Sequence, residues 1–296
     1  MRNSNQRYQQ NRTRGQGFNW LRLVPMLFFG LYAVFYYFSN SETVPFTGRN
    51  QLVDLSREQE AALGYQAYQE ILANERVLTT GEAPKQVQEI ARRLIEAVRK
   101  LDPKADPGFE WEANVVESDQ ANAFALPGGK IAIYTGIFPV TANENGLAVV
   151  MGHEIAHAIA RHGAERMAYQ KLVQIGSMAA GVSVSDMSPA ARQAVMGALG
   201  AGTKFGVLLP FSRDHESEAD EMGLYFMAAA CYDPREAPRL WERMAANSEQ
   251  SGGQRPAEFA STHPSNETRI QQLNALMPKA LEIYQKYCSG LPEESG

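Results

Sequence analysis

The chain has 296 residues, 44% of them hydrophobic and 21% charged, with a formal net charge of -5. This composition excludes a disordered polymer and a polytopic membrane protein, and it allows one or two folded domains with a sizeable core. Two cysteines exclude a disulfide-framework miniprotein and any all-cysteine zinc or iron–sulfur centre. Residues 1–38 hold five arginines and no acid, which leaves 23 of the 28 basic residues against all 33 acidic ones. An acidic body argues against nucleic acid as a partner, and the basic excess is confined to one end.

Residues 1–19 are rich in Asn, Gln and Arg and read as a disordered basic tail on the cytoplasmic side. Trp20 to Phe38, apart from Arg22, is an uncharged run of 19 residues. As a helix it would extend about 28 Å, close to a hydrocarbon core of ~30 Å. Arg22 can snorkel, Trp20, Tyr36 and Tyr37 suit the headgroup belts, and Pro25 falls in the first turns. A cleaved signal peptide would need small residues at its end. Tyr36-Tyr37-Phe38-Ser39-Asn40-Ser41 offers a poor site, so the run reads as an uncleaved transmembrane signal anchor. Arginines before the span and Glu42 after it place the body outside the cytoplasm.

Residues 39–55 read as a tether, and residues 56–290 as one α+β domain, mostly helical with a small antiparallel sheet. Ser56 and Gln59 form a capping box for a helix carrying Leu63, Tyr65, Tyr68, Ile71 and Leu72. A second helix follows Pro84, with Val87, Ile90, Ala91, Leu94, Ile95 and Val98 at helical spacing. Phe109, Trp111, Ala113 and Val115 alternate as in a half-buried strand. Ala123 to Leu126 and Lys130 to Thr135 flank Pro127-Gly128-Gly129, a hairpin signal. Asp233-Pro234 opens a helix with Ala237, Leu240, Trp241 and Met244. Ser265 caps another with Ile270, Leu273 and Leu276, and Pro278 starts the last.

His153-Glu154-Ile155-Ala156-His157 carries the chemistry. On a helix, positions i and i+4 lie one above the other, so both imidazoles can grip one Zn²⁺. Glu154 can act as general base toward water and then carry the proton to the leaving amine. The alternative for so short a pattern is two core histidines satisfied by hydrogen bonds. A third ligand is needed, with an open fourth position. His162 is i+5 from His157 and points around the helix, which favours a surface or supporting role for it, as for His215. Position 163 is glycine, which excludes the metzincin pattern. The better candidate lies 59 residues after His157, where Ser212 caps a helix whose Glu216, Ala219, Asp220, Gly223 and Met227 share one face. Small Ala219 and Gly223 permit close approach of a second helix. Glu216 reads as the third ligand, and Asp220 as acceptor for the Nδ1–H of a zinc histidine. An acidic first turn favoured by the helix dipole accounts for Asp214 and Glu218.

The run His153-Glu154-x-x-His157 followed by Glu216-x-x-Ala219-Asp220 resembles the gluzincin clan. Within it, the chain is similar to the membrane-associated zinc endopeptidases of HtpX and the CAAX prenyl proteases, peptidase family M48. Gly152 through His157 with Arg161-His162-Gly163-Ala164, Asn122 through Gly129, and Ser261-Thr262-His263-Pro264 resemble its periplasmic and mitochondrial quality-control branch. The likeness covers roughly Ser56 to Leu276. It implies a gluzincin-type fold, one Zn²⁺ per chain, and hydrolysis of peptide bonds in unfolded or misassembled cell-envelope proteins. It implies that Asn122, Ala123, Phe124 and Ala125 form an edge strand against which substrate pairs. His263 would donate to the oxyanion or cover the zinc when substrate is absent. The implied location is a bacterial inner membrane, single-pass, with the catalytic domain facing the periplasm. A chaperone-like periplasmic binding protein with a plugged zinc site is the competing reading.

Residues 176–206, dense in Ala, Gly, Ser and Met, read as helix packing, a lid or a membrane-dipping segment. Cys231 and Cys288 are able to pair in an oxidising compartment, and the sequence leaves pairing open.

Overall fold

A computed structural model describes residues 20–183, 212–250, 259, 263 and 267–289. The basic tail at 1–19, residues 184–206 of the small-residue stretch, and Ser261, Thr262, Pro264 and Ser265 lie outside the described residues. The described elements begin with a 3₁₀ turn, Trp20–Leu23, that leads into α1, Val24–Ser39. Strands β1, Ser41–Thr43, and β2, Asn50–Leu52, pair antiparallel. Helix α2, Arg57–Ala73, strand β3, Val77–Leu78, and helix α3, Glu82–Leu101, precede β4, Glu112–Val116, β5, Ala123–Leu126, and β6, Lys130–Tyr134. A short α4, Phe138–Thr141, leads to α5, Glu144–Ile159, and α6, His162–Ser183. The described chain ends with α7, Arg213–Ala229, α8, Glu236–Gln250, and α9, Glu267–Cys288. The class is α+β, as the sequence implies.

Local signals explain most of these elements. The Ser56 capping box is formed in both directions. All six apolar positions of α3 named above are buried. Ala237, Leu240, Trp241 and Met244 of α8 join the same core. Gly128 and Gly129, at φ 85° and 86°, turn β5 back onto β6.

Three expectations are corrected. The four-stranded sheet has the order β3-β4-β6-β5, and β4 runs parallel to β6. The link from β4 carries the chain past β6's place to the sheet edge, and the β5–β6 hairpin then inserts β6 between them, so the sheet is mixed rather than antiparallel. Pro278 does not start a helix but lies inside α9. Leu273 and Ala280, buried on either side of it, hold the helix against the core despite the lost N–H. The expected transmembrane helix is also shorter than its apolar run, because the four residues before α1 take the tighter turn. Among the described residues no helix is long and apolar enough to cross a membrane. Helix α1, 16 residues long, packs along α6, where a Cβ on Gly176 would come within 2.8 Å of the Phe29 ring.

Helices α5 and α7 form the centre of the core. A Cβ on Gly223 would stand 2.8 Å from His153 N and 2.9 Å from Gly152 C, and one on Gly152 would stand 3.1 Å from Gly223 O. The two backbones touch because neither residue has a side chain at the crossing. Cys231 and Cys288 form a disulfide that ties the end of α7 to the end of α9. Replacing Gly223 with Ala is expected to destabilise the fold by about 1–3 kcal/mol, because the added methyl meets backbone rather than a yielding side chain. Urea unfolding checks this, and an unchanged or raised midpoint would contradict the packing described.

Candidate metal centre

Helix α5 carries His153, Glu154 and His157, all buried. Helix α7, capped by Ser212 whose hydroxyl accepts from His215 N, brings Glu216 and Asp220 over them. His263 enters from the chain before α9. One ligand atom from each of His153, His157, Glu216 and His263 lies within 4.8 Å of the others. His153 Nε2 is 3.0 Å from His157 Nε2 and 3.2 Å from His263 Nδ1. The Glu216 carboxylate stands 3.4 Å from His153 Nε2, 3.5 Å from His157 Nε2 and 2.8 Å from His263 Nδ1.

These residues fit a divalent ion. Atoms each held ~2.0–2.2 Å from one ion stand roughly 3–3.5 Å apart, the spacing found. Imidazole nitrogens and a carboxylate are the donor set zinc takes. Glu154 Oε1 is buried without a hydrogen-bond partner, and Glu216 Oε2 has an ion-pair contact to Arg269 at 2.9 Å but no aligned hydrogen bond.

The surroundings orient the donors. His153 Nδ1 lies 3.0 Å from Asp220 Oδ1, and an ionised Asp220 can only accept, so His153 presents Nε2 to the cluster. Arg269 makes a fork onto Asp220, reaches Glu216, and lies 3.6 Å over the Trp241 ring. Glu154 Oε2 accepts from Ala125 N–H of β5 at 3.2 Å, and Glu154 Oε1 is 3.4 Å from His263 Nε2. Burial pushes the Glu154 carboxyl up, against the pull of His263 and His153. Burial also opposes ionisation of Glu216, yet the surrounding His153, His157 and His263 rings hold its carboxyl far below the usual range.

Asn122 to Ala125 lie at the sheet edge beside α5, with β6 on their other side. On the open side the Ala123 and Ala125 N–H groups bond Asn122 Oδ1 and Glu154 Oε2, so an extended peptide could pair there by donating to the carbonyls. His162, expected to point away, points back. Helix α5 ends at Ile159, Arg161 takes the left-handed φ of 59°, and α6 starts at His162. The i+5 spacing is therefore not helical, and His162 Nδ1 comes to 2.8 Å from His157 Nδ1. Arg161 is held in that conformation by Glu60, Glu42 and the Leu55 carbonyl.

Sequence reasoning also missed Arg269, Arg49, Glu165 and the partners of Glu218. Arg269 did leave a signal, since it shares a helical stripe with Leu273, and a buried cation there requires a carboxylate. Arg49 left none, because its role depends on how the β1–β2 hairpin lies against α6 and α7.

Two buried helix histidines, a carboxylate from a distant helix and a glutamate beside the cluster are compatible with a metallopeptidase centre. The chain belongs to peptidase family M48, whose sequence profile matches residues 83–277. It is 38% identical to the mitochondrial metalloendopeptidase OMA1 of Schizosaccharomyces pombe over 248 residues, covering 83% of this chain and 69% of that one. It is 36% identical to the Saccharomyces cerevisiae mitochondrial metalloendopeptidase OMA1, covering 90% of this chain and 77% of that one. It is 26% identical to the Escherichia coli beta-barrel assembly-enhancing protease, covering 78% and 46%. The chain is a metalloendopeptidase of this family. The expected placement in a bacterial inner membrane is corrected, because the relatives of 36–38% identity are mitochondrial.

A charged network lies behind the cluster. Burial opposes ionisation of Glu165, but His215 and Arg49 hold its carboxyl down to about 2. Glu218 is held at about 2 against its own burial by His162, Thr47 and Arg49. Burial pushes His162 down to about 4. Each of these groups binds protons more weakly folded than unfolded, so the stability they contribute is lost as pH falls. His162 loses it from about pH 6.5 to 4, and the two carboxylates from about 4.5 to 2. The urea midpoint is expected to fall steadily from pH 7 through pH 4, and a midpoint constant over that range would contradict the burial described.

Proposed function

We propose that the chain is a zinc-dependent endopeptidase, anchored to a membrane through α1, that cuts extended segments of unfolded or misassembled proteins. The observation that carries this reading is the convergence of His153, His157 and Glu216 with Glu154 alongside, next to an open strand edge. His153, His157 and Glu216 hold the ion. When bound, Zn²⁺ supplies Lewis acidity toward water and the scissile carbonyl.

This chain's own groups do the rest. Substrate adds as a strand along Asn122 to Ala125, which reads backbone and tolerates many side chains. Glu154 is steadied by Ala125 N–H through Oε2, which leaves Oε1 to take the proton from water. Its raised pKa suits a group that must accept a proton and then give it to the leaving amine. His263, beside both Glu154 and Glu216, stabilises the developing oxyanion. Asp220 and Arg269 keep His153 and Glu216 in register. Anchoring is supported by exposed Leu27, Phe28, Leu31, Phe35 and Phe38 on α1 and by the arginines that precede them.

One observation favours a second reading. His263 Nδ1 stands within the donor cluster, as a residue that fills the ion's fourth position would. In that reading the edge strand holds clients without turning them over.

Metal analysis and cleavage of unfolded casein by the full-length chain separate the readings. Glu154→Gln is expected to keep about one zinc per chain and lose at least ~10³-fold in kcat/KM. Undiminished proteolysis by Glu154→Gln would end the peptidase assignment of these residues. Client protection without turnover, equal in both proteins, would favour the second reading. Vesicle flotation should carry the full chain with the lipid and leave behind a chain lacking residues 1–40.

A further inference from the structure

His157 and His153 are oriented by different means. His153 has a carboxylate directly on Nδ1, whereas His157 has another imidazole, His162 Nδ1 at 2.8 Å. Two neutral rings meeting nitrogen to nitrogen leave the proton's position undecided, so something further along must decide it.

The far side of His162 supplies the answer. Its Nε2 is 2.9 Å from Glu218 Oε2. Glu218 is an ionised acceptor: Arg49 Nε donates to the same oxygen at 2.7 Å, and the Thr47 hydroxyl donates to Oε1. An acceptor-only group forces the proton of His162 onto Nε2. The Nδ1 of neutral His162 is then an acceptor, so His157 must donate from its own Nδ1. The lone pair of His157 therefore rests on Nε2, the atom that faces His153, Glu216 and the cluster centre.

Arg49 is itself held. Its two terminal nitrogens fork onto Glu165 at 2.7 and 2.9 Å, and Glu165 accepts in turn from His215 Nε2 at 2.8 Å. The His162 and His215 rings stack at 4.4 Å between centroids. Thr47 and Arg49 come from the hairpin between β1 and β2, which follows α1 directly.

We propose that Glu218, fixed by Thr47 and Arg49, sets the tautomer of His157 through His162, and that these are positioning residues for zinc binding rather than an acidic helix turn and a surface histidine. The proposal rests on the zinc-peptidase reading above for its consequence; in the metal-free ring the 2.8 Å contact to His162 competes with His153 Nε2 at 3.0 Å and Glu216 at 3.5 Å, the contacts an ion would replace. It makes the hairpin after α1 part of the support of the metal centre.

The test uses the full-length chain with ¹⁵N-labelled histidine. Long-range ¹H–¹⁵N spectra of the metal-free protein should show His157 protonated at Nδ1 and His162 at Nε2. Glu218→Gln, whose amide can donate or accept, should give His157 a mixture of tautomers. It should also weaken zinc binding about 10–100-fold in chelator competition. Arg49→Met should weaken it in the same direction, with Glu218→Asp restoring part of the loss. A wild-type spectrum with His157 protonated at Nε2 would overturn the proposal, whether or not the variants fold. So would Glu218→Gln protein with unchanged tautomers and unchanged zinc affinity. Wild-type protein that binds no zinc would overturn the zinc reading instead, while its spectrum still decides the relay.

Discussion

The backbone contact between Gly152 on α5 and Gly223 on α7 is the constraint on which the rest depends. Each helix brings half of a set of donors, and neither half can hold an ion alone. The histidines at 153 and 157 need a carboxylate reaching over them, and Glu216 and Asp220 reach only because the helices meet without side chains between them. A side chain at either glycine would push the carboxylates back from imidazole nitrogens that now lie 3.0–3.5 Å away. Packing and chemistry are therefore set by the same crossing.

Bringing these groups together places several ionisable side chains away from water. Glu154, Glu165, Glu216, Glu218, Asp220, Arg161 and Arg269 are all buried. Buried ions are expensive, and pairing offsets that cost without turning it into a large gain. The pairing is nonetheless extensive: Arg269 with Asp220 and Glu216, Arg161 with Glu60 and Glu42, and Arg49 with Glu165 and Glu218. A core built for stability alone would use apolar residues at these positions. The arrangement makes sense as scaffolding that holds donors still at a site where misplacement by an ångström would matter.

Much of this was legible in the sequence where local rules govern. The His153 and His157 spacing is a property of any helix, and the small residues beside Glu216 and Asp220 announced a close helix crossing. The Ser56 box, the α3 stripe and the Pro127-Gly128-Gly129 turn are equally local. What escaped was decided by tertiary placement. Gly163 hints at a break but does not say that Arg161 takes the left-handed turn that swings His162 back onto His157; three acceptors gathered from distant positions hold it there. The parallel β4–β6 pair depends on which strand occupies the edge, which alternation does not encode. Pro278 read as a helix start, yet packing on both sides carried α9 through it. The apolar run at the N-terminus had the length of a span, but its first four residues form a 3₁₀ turn rather than α-helix. Location was misjudged for another reason, since topology signals report sidedness and not which membrane.

Zinc K-edge absorption on the purified full-length chain tests the central claim most directly. The account predicts one zinc per chain with two or three imidazole nitrogens and a carboxylate oxygen at about 2.0–2.2 Å, and loss of the oxygen contribution in Glu216→Ala. A spectrum free of imidazole scattering, or one unaltered by Glu216→Ala, would show that the two helices do not share an ion.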